Sequence, residues 1–230
     1  MKNTSNFIDL SPYPSLYRPE LVKLHGIFDK YGYELRAAGG AVRDILLNKE
    51  PHDIDLATVA TPDQMLSMFS NESIRVINRN GEAHGTVTPR VDDSMNYEIT
   101  TLRVDVKTDG RHAHVQFTHD WVTDAARRDL TINSLFLRLH YGKSANLETT
   151  LNSINRIIAS SNLFQHPFGE LFDYFGGRDD LSARRIRFVG EPADRIQEDY
   201  LRILRYFRFH ALIKPPERAD EHDDEILQVG

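Results

Sequence analysis

The segment from Leu35 to Ala57, LRAAGGAVRDILLNKEPHDIDLA, constrains the fold more than any other part of the chain. A short apolar stretch, predicted as a strand over Tyr33–Ala38, ends in Gly39-Gly40, and a helix is predicted to begin directly after the glycines. Glycine tolerates positive φ and lets the backbone approach a bulky ligand. A helix that begins at such a turn directs unpaired N–H groups outward, which suits phosphate. The pattern therefore predicts a strand, a phosphate-binding turn and a helix in immediate succession.

Two aspartates follow this helix in the alternating segment His52–Leu56. Residues two apart in an extended segment share a face, so Asp53 and Asp55 point the same way while Ile54 faces the core. Neighbouring carboxylates repel each other unless a cation lies between them, and Mg²⁺ binds carboxylate oxygens together with substrate phosphates. A lone pair of this kind is usually a solvated turn. Beside a phosphate-binding turn, however, it indicates phosphoryl or nucleotidyl transfer with Mg²⁺ as cofactor.

Composition narrows the class of protein. The chain has 230 residues, 40% of them hydrophobic, which is enough for one complete domain and part of a second. It has no cysteine, which excludes a disulfide framework, a thiolate metal site and a cysteine nucleophile. The net charge of −6 argues against a uniformly basic surface for nucleic acid. Basic residues nevertheless outnumber acidic ones nine to six from Arg178 to Lys214, so a polyanion is expected to bind there.

The sequence gives no sign of a membrane anchor or an export signal. It contains no apolar run long enough to cross a bilayer, so no membrane association is expected. The N-terminus, MKNTSNFIDLSPYPSLYRPE, lacks the apolar centre of a signal peptide and has few arginines. We therefore expect an intracellular protein that is cytoplasmic, mitochondrial or both.

Local patterns predict the elements on either side of the glycine turn. Met1–Pro19 contains three prolines and no periodic pattern, and is interpreted as an irregular N-terminal arm. Apolar residues at helical spacing predict a helix over Glu20–Tyr31, in which His25 is interpreted as a surface or capping group. A further helix is predicted from Thr61 to Phe69.

Alternating apolar residues then predict three strands: Ser73–Asn78, Thr86–Val91 and Tyr97–Leu102. If the third of these lies beside the Asp53–Asp55 segment, Glu98 would add a third carboxylate to the metal site. The alternative is an ordinary edge-strand glutamate, and the sequence does not decide between the two. The polar segment Arg103–His114 that follows is interpreted as a mobile loop.

A second charged cluster lies in DAARRDLTIN, from Asp124 to Asn133. Asp124 is placed to cap a helix that carries Arg127 and Arg128, whose charges suit a triphosphate. Asp129 and Asn133 are four residues apart on one predicted helical face, where they could hold a ribose or brace the arginines. The alternative is a surface helix with ordinary salt bridges.

The next segment departs from a regular pattern. Ser134–Leu139 is predicted as an apolar strand, and the next clear motif begins at Leu171. Between them Tyr141–Gly169 is dominated by Ser, Asn and Thr. It is interpreted as an insertion in a loop.

The segment Arg195–His210 has the spacing of a single helix. Its predicted apolar stripe consists of Tyr200, Ile203, Leu204, Phe207 and the adjoining Ala211. Asp199, Arg202 and Arg205 step along the other side. A carboxylate and a guanidinium one turn apart usually form an ordinary salt bridge. They can also offer an acceptor and donors to the edge of a nucleobase, although spacing alone favours the salt bridge.

Taken in order, the motifs GGAVRD with HDID, RRDLTIN, LFDYFGGRDDL and EDYLRILRYFRF resemble those of the class II tRNA nucleotidyltransferases. These are the CCA-adding enzymes, which are related to bacterial poly(A) polymerases within the DNA polymerase beta superfamily. The resemblance covers about Tyr33 to His210, apart from the insertion. It implies an α+β fold, in which a DNA polymerase beta-like head with a small mixed β-sheet and helices is followed by the start of an all-α neck. The expected domains are an arm at 1–19, a head at 20–180 with its insertion at 141–169, and a partial helical neck at 181–230.

The resemblance implies roles for the first motif. Asp53 and Asp55 would bind the catalytic Mg²⁺ ions that activate the tRNA 3′-hydroxyl and the α-phosphate. Gly40 and Arg43 would hold the triphosphate, and Gly39 would shape the turn.

The same resemblance implies how the nucleotide is recognised. Arg128, with Asp129 and Asn133 nearby, would contact the incoming nucleotide and favour ribose over deoxyribose. Asp199 and Arg202 would select CTP and then ATP by imitating base pairing, so no nucleic-acid template would be needed.

The resemblance also implies supporting or conformational roles for one arginine, one loop and one motif. Arg205 would support the phosphates or the two base-reading residues. Arg103 and Asp105 would belong to a flexible loop that helps to switch specificity. The motif between head and neck would act like a hinge, and it matches Asp173, Gly176, Gly177 and Asp180.

The implied function is template-independent addition of CCA to tRNA 3′ ends from CTP and ATP, by two-metal nucleotidyl transfer with release of pyrophosphate. Its partners would be the tRNA 3′ end and the two nucleotides. Poly(A) polymerase activity is the enzymatic alternative, against which the intact EDYLR motif argues. Family members continue beyond the base-reading helix into a body and tail that grip tRNA. The remaining alternative is therefore a truncated form that binds nucleotide and has little activity on tRNA.

Overall fold

The computed structural model describes residues 5–78, 84–109, 112–141, 167–218 and His222. The strands in these ranges are β1 Phe7–Asp9, β2 Leu35–Ala38, β3 Leu56–Thr58, β4 Arg75–Asn78, β5 Thr86–Val91, β6 Met95–Asn96, β7 Ile99–Thr101, β8 Arg103–Asp109, β9 His112–Phe117, β10 Phe136–His140 and β11 Phe168–Phe172. The α-helices are α1 Pro19–Tyr31, α2 Gly40–Leu46, α3 Pro62–Asn71, α4 Trp121–Ala126, α5 Gly177–Ser182, α6 Pro192–Glu198 and α7 Leu201–Ile213. Short 3₁₀ helices cover Pro14–Tyr17, Thr131–Asn133 and Pro216–Arg218.

Nine strands form one mixed sheet in the order β1–β11–β10–β2–β3–β7–β5–β4, with β6 paired to β5. Strands β3 and β7 run parallel, and the other described pairs of this sheet are antiparallel. Strands β2 and β11 therefore finish at the same end of the sheet at which β3, β7 and β10 begin. We call this the Gly39 end of the sheet. The topology brings segments that are far apart in sequence to this one end.

The main core packs helices α1 and α3 against the sheet. Phe28 and Phe69 are fully buried and meet edge to face, with ring centroids 6.1 Å apart. Burial of such a side chain contributes about 1.5–3 kcal/mol. Thr61 starts α3 through a capping box in which its side chain accepts from the Gln64 N–H and the Gln64 side chain accepts from the Thr61 N–H.

A smaller cluster fixes α4 near the Gly39 end of the sheet. The Trp121 ring packs edge to face on Phe136, with centroids 5.0 Å apart. The Arg36 guanidinium lies 3.9 Å from the Trp121 ring centroid and 3.5 Å from that of Phe172. The start of α4 is therefore tied to strands β2, β10 and β11.

The α+β class and the mixed sheet predicted from sequence are confirmed. Helices α6 and α7 follow the sheet in sequence, and their buried residues Ile196, Tyr206, Phe209 and Ile213 pack into the main core. Across the described ranges, the structure contains no helix with the length and apolar character needed to span a membrane.

Three predicted segments differ from the structure. Arg103–His114 was expected to be a mobile loop, but Arg103–Asp109 forms β8 and His112 and His114 belong to β9, which pairs with β8; residues 110 and 111 lie outside the described residues. The expected irregular arm contains β1, which pairs with β11, and a 3₁₀ helix. Of the expected insertion Tyr141–Gly169, Phe168 and Gly169 belong to β11, and residues 142–166 lie outside the described residues.

The single helix predicted over Arg195–His210 is broken. Asp199 has extended backbone angles, φ −157° and ψ 107°, between the end of α6 and the start of α7. The predicted apolar stripe is also wrong. Tyr200, Leu204 and Phe207 are exposed, while the buried face of α7 consists of Tyr206, Phe209, His210 and Ile213. The break at Asp199 does not explain this error, because Ile203, Leu204 and Phe207 all lie within α7. The buried face is instead set by tertiary contacts, in which Tyr206 stacks on Phe188 and Phe209 packs against Arg43.

Candidate active site

A cavity of about 950 Å³ opens at the Gly39 end of the sheet, between the sheet and helix α7. Every site residue predicted from the sequence lines it: Gly39, Gly40, Arg43, Asp53, Asp55, Glu98, Arg128, Asp129, Asn133, Asp199, Arg202 and Arg205. The structure thus brings together residues from four separate motifs.

The two aspartates precede β3 rather than lying within it, because β3 begins at Leu56. Asp53 and Asp55 are exposed while Leu56 is buried, which is the predicted alternation. The Leu56 N–H donates to the Glu98 carbonyl at 2.9 Å, so the segment before β7 lies directly beside the aspartate pair. This meets the condition under which Glu98 could join the metal site.

The carboxylates at this position repel one another. The Asp55 side chain is only partly open to solvent, and this partial desolvation, followed by the negative charges of Glu98 and Asp53, raises the pKa of its carboxyl, while Arg128 acts in the opposite direction. A divalent cation would relieve this repulsion, and hard oxygen donors are the ligands that Mg²⁺ prefers. The donor set therefore fits such an ion. In the described part of the chain, no three His, Asp or Glu side chains already stand close enough together to hold a metal, so a ligand role for Glu98 stays a prediction.

Gly39 is required by both its backbone and its surroundings. Its φ of 59° and ψ of −110° are unfavourable for residues with a side chain. A Cβ at this position would lie 3.3 Å from both Arg128 Nη1 and the Asn133 carbonyl oxygen. The glycine thus lets the turn approach the Arg128 guanidinium.

Arg43 is held in place from three directions. Its Nη1 donates to Asn133 Oδ1 at 2.9 Å, and its Nε and Nη2 donate to Asp44 Oδ1 at 3.1 and 2.9 Å. Its guanidinium also lies 4.7 Å from the centroid of the Phe209 ring on α7. A preorganised guanidinium suits phosphate binding, because less side-chain freedom is lost when the ligand binds.

Asp124 has a different position from the predicted one. Asp120 caps α4 by accepting from the Val122 N–H, whereas Asp124 lies inside the helix and is 1% exposed. It accepts hydrogen bonds from the side chains of Arg127 and Arg128 and from the Arg103 N–H at 2.8–3.2 Å.

These contacts decide the charge of Asp124. Burial by itself would raise the pKa of its carboxyl, but Arg128, Arg127 and the Arg103 N–H outweigh it and the pKa is lowered. A permanent buried anion therefore orients both arginines at the wall of the cavity.

Asp129 and Asn133 do not share a helical face, because α4 ends at Ala126 and only Thr131–Asn133 is helical, as 3₁₀. They are nevertheless in contact, since Asn133 Nδ2 donates to Asp129 Oδ1 at 3.3 Å. Arg205 Nε lies 2.6 Å from Asp129 Oδ2. Asp129 was predicted to hold a ribose or to brace Arg127 and Arg128. In the structure its ion pair is with Arg205 on α7.

The base-reading pair predicted from sequence lies at the break between α6 and α7. Asp199 Oδ1 accepts from the Leu201 N–H at 3.0 Å and so holds the start of α7. Arg202 donates to Glu198 Oε2 at 2.6 Å and to the Arg127 carbonyl at 3.0 Å. Both side chains line the cavity.

Sequence reasoning missed several residues at the cavity wall. Arg208 continues the three-residue spacing of Arg202 and Arg205, and this spacing could have identified it. Its guanidinium lies 4.6 Å from the Phe209 ring centroid. Glu198, which adjoins Asp199 and binds Arg202, was also left out. No sequence signal pointed to Phe209.

The motif expected to act as a hinge forms a closely hydrogen-bonded junction between α5 and the Thr131–Asn133 turn. Asp173 accepts from the N–H groups of Gly177 and Arg178, both at 2.9 Å, and so caps α5. Buried Asp180 accepts from Thr131 Oγ1 at 2.6 Å and pairs with Arg185 and Arg187. The junction therefore anchors the turn that carries Asn133, and whether it moves stays a prediction.

A mixed sheet with paired carboxylates and clustered arginines at one end defines the head of a polymerase-type nucleotidyltransferase. Comparison with known protein families agrees, since the poly A polymerase head domain family matches residues 35–187. The chain belongs to this family.

Relatives and solved structures extend the match beyond the head. The mitochondrial CCA tRNA nucleotidyltransferase 1 of Danio rerio is 49% identical over 217 residues, which are 94% of this chain and 43% of the relative. The CCA-adding enzyme of Bacillus pumilus is 37% identical over 193 residues, 83% of this chain and 39% of the relative. The crystal structure of the Bacillus stearothermophilus CCA-adding enzyme in complex with CTP is 30% identical, with a TM-score of 0.60 over 84% of this chain and 39% of that one. The chain thus spans less than half the length of these relatives.

Proposed function

We propose that the chain catalyses template-independent nucleotidyl transfer, adding CCA to tRNA 3′ ends from CTP and ATP and releasing pyrophosphate. One observation carries the proposal: the paired carboxylates and the arginines of three motifs line the same cavity. Paired carboxylates that bind metal, facing a cationic pocket, are the arrangement that a two-metal transfer to a nucleoside triphosphate requires. The names of the relatives supply the reaction and the RNA substrate.

Each part of the cavity has a proposed task. Asp53 and Asp55 would hold Mg²⁺, which when bound acidifies the attacking hydroxyl and neutralises charge on the α-phosphate. Arg43 and Arg128 would bind the triphosphate, because both are fixed in place before the ligand arrives. Gly39 and Gly40 would keep the turn narrow enough for the phosphates to reach both guanidinium groups.

The base would be read by the residues at the break between α6 and α7. Asp199 would accept from the exocyclic amino group that both cytosine and adenine carry, and Arg202 would donate to a ring acceptor. In the structure Arg202 is bound to Glu198 and the Arg127 carbonyl. Those contacts would orient its guanidinium or yield to the base. Asp129, Asn133 and Arg205 would brace the ribose side of the pocket.

The test is incorporation of labelled CTP and ATP into a tRNA that lacks its CCA end. The proposal predicts addition of two C and one A, which Asp53→Ala with Asp55→Ala abolishes. Long tails made from ATP alone would show poly(A) polymerase activity instead. An active double variant would contradict the assignment of the carboxylates.

CTP binding without incorporation would instead indicate a nucleotide-binding form with little activity on tRNA. The Danio rerio relative is named a mitochondrial enzyme, and on that name we propose a mitochondrial location. Import of the tagged chain into isolated mitochondria would test that location.

A further inference from the structure

The N-terminal arm lies outside residues 35–187, which match the head domain family, yet it is packed into the main core. Leu10 and Leu16 have no exposed surface, and Tyr13 is 7% exposed. Strand β1 of the arm pairs with β11, and the Leu16 carbonyl accepts from Tyr141 Oη at 2.8 Å. Burial of these apolar side chains fixes the arm to the sheet, so the arm can support the segments that it touches.

Tyr13 contacts the C-terminal end of α2. Its buried hydroxyl donates to the Ile45 carbonyl at 3.0 Å, and the Asn48 N–H donates to the same carbonyl at 2.9 Å. The last carbonyls of a helix have no partner within the helix, and α2 has only seven residues, so an outside donor stabilises this end. Burial, followed by the negative charges of Glu50 and Asp9, raises the pKa of the Tyr13 hydroxyl, which therefore keeps its proton and remains a donor.

Ser15 contacts the segment that joins α2 to the paired aspartates. The Ser15 N–H, in the 3₁₀ helix Pro14–Tyr17, donates to Glu50 Oε1 at 2.8 Å. Hydrogen bonds to an ionised acceptor are stronger than those between neutral groups. Glu50 precedes Asp53 by three residues, and Ser15 and Glu50 line a cavity of about 740 Å³ that Asp53 and Asp55 also line. The arm therefore ends its path directly beside the carboxylates.

The segment from Glu50 to Asp55 is held at both ends. At one end the Asp55 carbonyl accepts from the Ala38 N–H at 2.9 Å, which ties it to the end of β2. At the other end Glu50 accepts from the arm. Asp53 lies between these two anchors, so its position depends on both.

We propose that the N-terminal arm is a positioning element for the metal site; this inference rests on the proposed function. Ser15 acts through Glu50 on the segment that carries Asp53. Tyr13 acts through the end of α2, the helix that carries Arg43. The arm thus supports both the carboxylates and a guanidinium of the cavity without touching the ligands itself.

Magnesium titration of CTP binding tests the role of Glu50. Glu50→Ala should raise the Mg²⁺ concentration that gives half of the increase in CTP affinity by about fivefold, with the CTP affinity in EDTA unchanged. Glu50→Gln keeps an acceptor oxygen for the Ser15 N–H and should restore most of the wild-type value. Glu20→Ala is the control, because Glu20 accepts from Ser94 Oγ and lines neither cavity that the aspartates border. A Gln variant as impaired as the Ala variant, or an equal loss in the control, would overturn this role.

A matched pair of tyrosine substitutions tests Tyr13. Tyr13→Phe removes only the hydroxyl and should weaken CTP binding in EDTA by about threefold, because it loosens the helix that carries Arg43. Tyr17→Phe is the control, since the Tyr17 hydroxyl donates to the Ser11 carbonyl within the arm. Equal CTP affinities of the two variants would contradict the role of Tyr13.

Hydrogen exchange of the metal-free chain gives a readout that does not depend on catalysis. Tyr13→Phe and Glu50→Ala should each speed amide exchange by about threefold or more in peptides covering residues 46–55, and leave α3 unchanged. Unaltered exchange in both variants would overturn the inference. Faster exchange there, in a chain whose CTP affinity does not respond to Mg²⁺, would support the arm's hold on this segment and contradict only the proposed function.

Discussion

The position of Arg128 depends on a single buried carboxylate. Asp124 is 1% exposed and holds both Arg127 and Arg128, so its charge orients two guanidinium groups at the cavity. The sequence identified the charged cluster but predicted Asp124 as a helix cap. The same order of residues, an aspartate before two arginines, is compatible with an exposed cap and with a buried carboxylate. Burial, which decides its role, depends on β8 and on the packing of α4.

Replacing Asp124 with Asn should therefore weaken nucleotide binding. The variant leaves the amide in place but removes the charge that holds the two arginines, so we expect CTP affinity to fall by about tenfold or more. Calorimetric titration with CTP measures it. Asp120→Asn is the control, because Asp120 caps the same helix without touching either arginine. Equal CTP affinities in the Asp124 variant and the wild type would contradict the role.

Phe209 is expected to position Arg43 and Arg208, whose guanidinium groups both lie within 5 Å of its ring centroid. Phe209→Leu keeps the apolar volume but loses the aromatic face, and should weaken CTP and ATP binding equally, by about threefold to tenfold. Phe209→Tyr should restore most of the affinity. Phe207→Leu changes the same residue type two positions earlier, on the exposed side of α7, and should have no effect. A loss confined to one nucleotide would instead indicate a role in base choice.

His25 should make the stability of the fold depend on pH. It was expected at the surface, but it is buried, and burial followed by the positive charges of His140 and Arg138 lowers its pKa to about 3. In the unfolded chain the His25 imidazole takes up a proton near pH 6.5, whereas in the folded chain it does so only near pH 3. The free energy of unfolding is therefore unaffected by this group above pH 6.5 and falls as the pH drops from there toward 3. The expected slope is about 1.4 kcal/mol per pH unit.

Denaturant unfolding at pH 7.5 and 5.0 tests this dependence. His25→Phe keeps the edge-to-face contact with Tyr141 and removes the titrating group, so its stability should change less between the two pH values. Parallel pH dependence in the two proteins would show that other groups are responsible.

At the scale of elements, α5 is locked to the turn that carries Asn133. A Cβ on Gly177 would lie 2.8 Å from the Thr131 carbonyl carbon and closer still to its oxygen. Gly177→Ala must therefore push the helix and the turn apart, and should destabilise the chain by about 2 kcal/mol or more. Thermal unfolding measures it. Gly26→Ala in α1 has open space around it and should be stabilising by about 0.5–1 kcal/mol. An unchanged stability of the Gly177 variant would contradict the close packing of α5 on this turn.

Helices and strands were predictable from the sequence where a single local pattern determines their type and position. The helices α1 and α3 and the strands β2 and β5 follow from spacing and capping. The break at Asp199 was not predictable, because residues 195–210 have helical propensity throughout and the extended backbone is set by contacts. Arg195 donates to the Ala126 carbonyl and Arg202 to the Arg127 carbonyl, which fixes α6 and the first turn of α7 on the end of α4. The β8–β9 hairpin was missed because its polar strands pair with each other outside the main sheet.

At the scale of the whole molecule, the sheet topology assembles the cavity from motifs that are far apart in the sequence. It brings the end of β2 and the starts of β3, β7 and β10 to one end, and α7 covers that end through Phe209 and Arg205. The site residues that the sequence suggested all line one cavity, and their roles stay predictions. Their mutual contacts depend on packing between distant segments and had no sequence signal.

We propose that this chain forms a joint site for nucleotide and divalent metal at Asp53 and Asp55. The most direct test is calorimetric titration of CTP with Mg²⁺ and with EDTA, in the wild type and in Asp53→Asn with Asp55→Asn. Asp63→Asn, at an exposed position on α3 outside the cavity that Asp53 and Asp55 line, is the control. We predict that Mg²⁺ strengthens CTP binding in the wild type and the control but not in the double variant. Failure of the wild type to bind CTP, or an undiminished Mg²⁺ effect in the double variant, would contradict the account.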